Sequence, residues 1–231
     1  MGSRGVSLLN RSWRFVVPVL TLMVSQARAD PDTTAALRVG ALKLGVHVVQ
    51  HSFDAMRQDE VRPARHTDFG GRVDVAYAAM TWLEVAVSGY RGVSHFDFDT
   101  AFESGHGRDS DWSVDIGPNV LLGRARSVKV LLGGMFFYGE ARSETSIDVQ
   151  GGSGTVFTIH LEGPRTYMVG GGARLLATMD IVERIEGVLQ LSSGVFQAHA
   201  QSRASGDLYN WNGGSVALSM GIRIGMLRGR S

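Results

Sequence analysis

Ser215-Val216-Ala217-Leu218-Ser219-Met220-Gly221-Ile222-Arg223-Ile224-Gly225-Met226-Leu227 is the stretch whose reading decides the fold. Val216, Leu218, Met220, Ile222, Ile224 and Met226 share one parity, and Ala217, Ser219, Gly221, Arg223 and Gly225 share the other. Period two over about a dozen residues is a strand with one greasy face. A strand of a soluble sheet usually has about 5–6 residues, whereas one that crosses a bilayer at a tilt needs about 9–11. The polar face carries tiny residues and one arginine, not the Lys, Glu and Thr of a water-facing strand. Glycine weakens a strand. Its repetition on one face therefore points to a cramped space, such as the inside of a narrow closed barrel.

The same alternation recurs upstream. Strands are expected over 39–51, 68–79, 83–95, 111–122, 128–142, 156–179 and 185–200, which makes eight with 215–227. Leu42, Leu44, Val46 and Val48 oppose Lys43, Gly45 and His47; Val73, Val75 and Tyr77 oppose Arg72, Asp74 and Ala76. In the sixth strand Phe157, Ile159 and Leu161 continue in parity with Tyr167 and Val169, and Pro164 marks a break near its outer end. Pro118 falls within the fourth and predicts a local irregularity, because proline removes a ladder donor. The connections run long, short, long, short, long, short, long. All the long ones, over 52–67, 96–109, 143–154 and 201–214, therefore fall at one end. The expected fold class is all-β: a closed, antiparallel, eight-stranded, up-and-down transmembrane β-barrel, with short turns on one side and four long external loops on the other.

Composition agrees. Charged residues are 19% and apolar residues 44% of the 231, and no apolar run reaches the 18 residues of a membrane helix. There is no cysteine, which excludes disulfides and thiolate metal sites. Residues 1–29 read as a cleaved secretory signal: Arg4, Arg11 and Arg14, then an apolar core from Phe15 to Val24, then Ala27-Arg28-Ala29. Residues 30–37 form a short lead-in, and 38–231 the barrel. Removing four arginines with the leader leaves 19 Lys and Arg against 22 Asp and Glu, a balance of −3. Nothing in that charge calls for nucleic acid.

On this layout the chain resembles the small eight-stranded outer-membrane barrels of Gram-negative bacteria, of the OmpA/OmpX transmembrane-domain type. The resemblance covers about Val39 to Leu227 and rests on layout and pattern. It implies the bacterial outer membrane as location, with membrane lipid and lipopolysaccharide as surroundings, and leaves no room for a peptidoglycan-binding domain. One departure is the end of the last strand. Family members close on an aromatic residue, whereas here Gly225-Met226-Leu227 is followed by Arg228-Gly229-Arg230-Ser231.

If the polar parity faces inward, the lumen collects Lys43, Arg72, Lys129, Arg174 and Arg223 with Asp74, Glu84, Asp115 and Glu186. Such charges must pair, since an isolated buried ion is too costly. His47, Asn119 and Gln190 are expected to join them by hydrogen bonds. Trp82, Trp112, Tyr138 and Tyr167 are expected as interfacial aromatics. Arg57, Asp59, Glu60 and Arg62, and the pair Tyr209 and Trp211, are the candidate contacts for an extracellular partner. No cofactor or metal site is expected; His51, His66, His95 and His106 are scattered in or next to loops. The function read from this is a structural or surface-interaction role around a salt-bridged lumen. The alternatives are a lipid A-modifying enzyme, a narrow pore, and a secreted lipocalin-like barrel with its greasy face inward. The enzyme reading would draw on His160, Glu162, Ser192 and Ser193, whose spacing fixes no triad. Lipid-facing apolar residues resemble a subunit interface, so the pattern defines no oligomeric state.

Overall fold

The computed structural model describes residues 37–56, 64–99, 103–125, 127–150, 156–163, 165–201 and 208–227. The expected leader, the lead-in before Leu37, and Arg57, Asp59, Glu60 and Arg62 lie outside them. Among the described residues there are nine antiparallel strands: β1 (Leu42–Met56), β2 (Ala64–Met80), β3 (Leu83–Asp99), β4 (Glu103–Ala125), β5 (Val128–Gln150), β6 (Val156–Glu162), β7 (Thr166–Val182), β8 (Ile185–Gln201) and β9 (Leu208–Leu227). Consecutive strands pair from β1 to β5, β5 pairs β7, and β7, β8 and β9 follow in order. β9 returns to β1, with Val46 opposite Ile222 and Ala55 opposite Gly213. Eight strands thus close a ring, and closure satisfies the backbone polar groups that an open edge would leave bare.

The last strand shows which way the faces turn. Met220, Ile222, Ile224 and Met226 are exposed on the outside, while Ser219 and Arg223 are buried in the lumen. The same holds for Val46 and Val48 against His47, and for Val73 and Val75 against Arg72 and Asp74. A greasy exterior around a charged interior is the reverse of a lipocalin-like arrangement and matches a barrel that lipid surrounds.

Three differences from the sequence reading have physical causes. First, the strands are longer than expected, and most of the segments read as long loops are paired ladder. β4 and β5 have 23 residues each, about 75 Å of chain at about 3.3 Å per residue. Their outer halves alternate polar residues on both faces, so they show no greasy parity to count. Second, the expected strand over 156–179 is two strands. Leu161 pairs with Thr145, whereas Tyr167 pairs with Glu140. The register with β5 slips by one residue across 163–165, and a one-residue slip turns every side chain to the other face. Phe157, Ile159 and Leu161 therefore lie on the lumen-side face of the outer sheet, while Tyr167 and Val169 face out. Third, Pro118 sits opposite Val85 in an ordinary β3–β4 ladder. Its missing donor shows on the other side, where the β4–β5 pairing skips Gly117 and Pro118; the register shift itself comes later, between Leu121 and Gly123.

The inner end is capped by the lead-in. Gly40 has φ +81°, a left-handed turn that glycine takes without strain. The turn brings Leu37 under the barrel, where its N–H donates to Thr81 O at 2.6 Å. Leu37 packs with Ala41, Ala78, Leu131 and Leu176 as a small apolar plug.

Candidate functional site: a lumen filled with paired charges

The lumen-facing positions of all eight ring strands supply the site, and the alternation of each strand aims one polar side chain inward every second residue. The centre is Arg223 on β9, which is buried to 2% exposure. Its Nη2 lies 2.7 Å from Asp74 Oδ2 and its Nη1 3.1 Å from Glu84 Oε1. The Asp74 carboxylate also bonds His47. Asn119 donates from Nδ2 to Glu84 Oε1 at 3.0 Å and accepts from Arg174 Nε at 2.7 Å. Arg174 reaches Asp115 at 2.8 Å and, through Nη2, the Gly117 carbonyl at 2.8 Å. That carbonyl is available because the β4–β5 ladder is interrupted there. Arg72 also bonds Asp115, and its Nε donates to Ser88 Oγ at 2.9 Å, which in turn donates to Asp115 at 2.6 Å.

A second layer sits nearer the short turns. Lys43 and Lys129 both hold Glu186, at 2.9 and 2.6 Å. Lys43 also lies 3.7 Å from Glu84, which ties this layer to the first. Lys129 extends to Asp180 at 2.8 Å, and Arg124 reaches the same carboxylate at 3.3 Å. All nine charged residues expected in the lumen thus stand in two joined layers, each with an opposite charge within reach. Space is tight enough that a Cβ on Gly45 would lie 2.0 Å from Asp74 Oδ1. The glycines of the polar faces leave room for the long side chains opposite them.

Several members escaped the sequence reading. Ser88 bridges two ions, and its place on the polar parity of β3 was the available signal. Asp180 lies just past the expected strand end at 179, but β7 runs on to Val182. Gln190 is buried, and its side-chain nitrogen bonds no partner. Farther out, Asp68, Asp109, Asp111 and Tyr90 are buried on the lumen face beyond the ion pairs.

The expected interfacial aromatics are exposed on the exterior: Trp82 beside the β2–β3 turn, and Trp112, Tyr138 and Tyr167 on β4, β5 and β7. Trp112 and Tyr138 meet edge-to-face at 5.8 Å. Glu140 is the cross-strand partner of both Trp112 and Tyr167, which places these rings at neighbouring ladder positions. Tyr209 and Trp211 lie in β9, opposite Ala200 and Ala198. His160 bonds Ser146 at 2.8 Å on the outer hairpin, whereas Ser192 is buried on the lumen face and contacts the Ala217 carbonyl at 3.5 Å. The two belong to different regions.

No protein-family model matches the chain, and no curated protein matches its sequence. Solved structures do match. The outer membrane protein OprG from Pseudomonas aeruginosa aligns with a TM-score of 0.52 at 8% identity, over 84% of this chain and 99% of that one. The attachment invasion locus protein Ail of Yersinia pestis aligns at 0.44 and 13%, over 80% and 99%. Neisserial surface protein A aligns at 0.41 and 15%, over 78% and 96%. At such identity the likeness to OprG bears on architecture alone. The chain has the fold of the small outer-membrane β-barrels: closed, antiparallel, up-and-down, with eight strands in the ring and an apolar exterior for lipid.

Proposed function

We propose that the protein resides in a bacterial outer membrane as a non-conducting barrel with a structural or surface-interaction role. The observation that carries this reading is the two-layered ion-pair network. An eight-stranded barrel is just wide enough for its side chains to fill. Here they fill much of it with charges held by one another, and an ion entering would have to break those pairs. The capping of the inner end by Leu37 supports the same reading.

The surface role rests on the outer hairpins. β4, β5 and β6 rise as a three-stranded sheet past the point where β7 leaves β5. At a tilt of about 35–45°, strands of 23 residues exceed the apolar band by tens of ångströms. Tyr209 and Trp211 on β9, and Arg57, Asp59, Glu60 and Arg62 in the β1–β2 connection, remain the contacts proposed for an extracellular partner. Trp82, Trp112, Tyr138 and Tyr167 are proposed to anchor the barrel at the two lipid interfaces, and residues 1–29 to direct export before cleavage.

Envelope fractionation followed by gel mobility of boiled and unboiled samples tests the location and the closed barrel together. Recovery in the outer-membrane fraction with a mobility shift on boiling is the expected result. Recovery in the soluble periplasm without a shift would overturn it.

A further inference from the structure

Beyond the ion pairs the lumen changes character, and its two walls differ. β5, β7 and β8 present Phe137, Met168 and Phe196, which pack with Ala198 and Ala141 as an apolar cluster. The wall made by β2, β3 and β4 carries buried carboxylates, Asp68, Asp109 and Asp111, together with Tyr90. A cavity of ≈ 50 Å³ lies between, lined by residues of both walls, with Arg72 and Asp115 at its floor. Arg72 is committed to Asp115 and Ser88. The nearby His51 places Nδ1 3.5 Å from Asp111 Oδ2 and its ring edge-to-face on Tyr90.

Carboxylates alone would define nothing. The second observation is the Tyr90 hydroxyl, on a side chain only 7% exposed and without a hydrogen-bond partner. It points at the acids. A Cβ on Gly92 would lie 2.0 Å from the Tyr90 hydroxyl and 2.6 Å from Asp111 Oδ1, so glycine leaves the space the phenol occupies and the two oxygens stand close together. Asp111 Oδ1 also lacks a hydrogen-bond partner. The carboxylate oxygen can only accept and the phenol oxygen can accept as well as donate, so both can take N–H groups from one ligand.

We propose that this outer chamber binds a primary organic ammonium with an apolar body. The ammonium donates N–H groups to Asp111 Oδ1 and to the phenol oxygen of Tyr90, while the body lies on Phe137, Met168 and Phe196. The chemistry selects among alternatives. An anion would meet the carboxylates of Asp111 and Asp115 in the lining, with Arg72 already committed to Asp115. A divalent metal would need three ligands in one place, and among the described residues no such group of His, Asp and Glu exists. A bare inorganic cation would leave the apolar wall unused. The enclosed ≈ 50 Å³ takes the ammonium head and the first carbons of the body on Phe137, Met168 and Phe196, and the rest of the body extends outward from it. The lumen-side face of the outer sheet, with Ile147, Val149, Phe157, Ile159 and Leu161, offers an apolar approach from outside. The site ends on the ion pairs, so it goes beyond the proposed surface role without requiring conduction.

The test uses two probes with the same tail and opposite charge, 4-phenylbutylammonium and 4-phenylbutyrate. Each is titrated by calorimetry into the full barrel in a non-ionic detergent, with folding checked by gel mobility. Saturable binding of the ammonium, with the carboxylate at least about tenfold weaker, is expected. Asp111→Asn should weaken the ammonium by about tenfold or more, and Tyr90→Phe by about three- to tenfold, while leaving the carboxylate probe unchanged. Equal binding of the two probes, no saturable binding, or folded variants that bind the ammonium like the parent would each overturn the proposal. If Asp111→Asn fails to fold, Tyr90→Phe, which removes no charge, and the ratio of the two probes decide.

Discussion

Arg223 and Asp111 occupy the same lumen under opposite conditions. Arg223 is enclosed by Asp74 and Glu84, and through them by His47, Asn119 and Lys43. Asp111 stands beside two more carboxylates and an unmatched phenol, across from an apolar wall. In the first arrangement every charged side chain has an opposite charge within reach, even though Asp74 Oδ2 and Arg223 Nε carry no hydrogen bond. The second is under-satisfied, and native proteins keep buried polar groups unmatched only at a cost. Strand alternation built both, so the difference lies in which residues the inward positions carry. The inner region is organised to be stable and the outer one to receive something.

Substitutions can break or sharpen that contrast. Arg223→Met should cost most, about 3–5 kcal/mol, because it strands two buried carboxylates; unfolding by urea, followed by tryptophan fluorescence, reads the loss. Glu186→Gln should cost about 2–3 kcal/mol by the same measurement, since Asp180 and Glu84 still hold the two lysines it leaves. Gly45→Ala tests the crowding without touching a charge. Its methyl would collide with Asp74 and with Arg223 Cγ, and a destabilisation of about 1–3 kcal/mol is expected. Asp111→Asn should change stability by less than about 1 kcal/mol in the same assay, because one of several like charges is removed and the contact it loses, to His51 at 3.5 Å, is long. A loss at Asp111 as large as that at Arg223 would erase the contrast.

Much of the inner region was legible in the sequence. The parity of Lys43, Arg72, Asp74, Arg174 and Arg223 against neighbouring aliphatic residues fixes which side chains share a face, and closure then forces them together. Which acid meets which base was not legible, because strand tilt and stagger set heights that parity does not carry. The face of Phe157, Ile159 and Leu161 was misjudged for a definite reason. Parity counting assumes an unbroken strand, and one residue gained across 163–165 inverts it. Leu37 was hidden because a single leucine before a glycine-containing turn has no periodicity to reveal it. Of the outer cluster only Asp109 lay in a segment read as loop; Asp68 and Asp111 open expected strands and Tyr90 lies within one, where the greasy alternation that marks the inward face is too short to follow.

The most direct test of the central claim, that paired charges close the lumen, is single-channel recording of the refolded barrel in a planar bilayer. The expected result is no steady conductance at any salt concentration, together with conductance appearing when the network is opened by Arg223→Ala in a variant that still shows the heat-dependent mobility shift. A steady, salt-dependent conductance from the unaltered protein would contradict the claim and make the same charges the lining of a path.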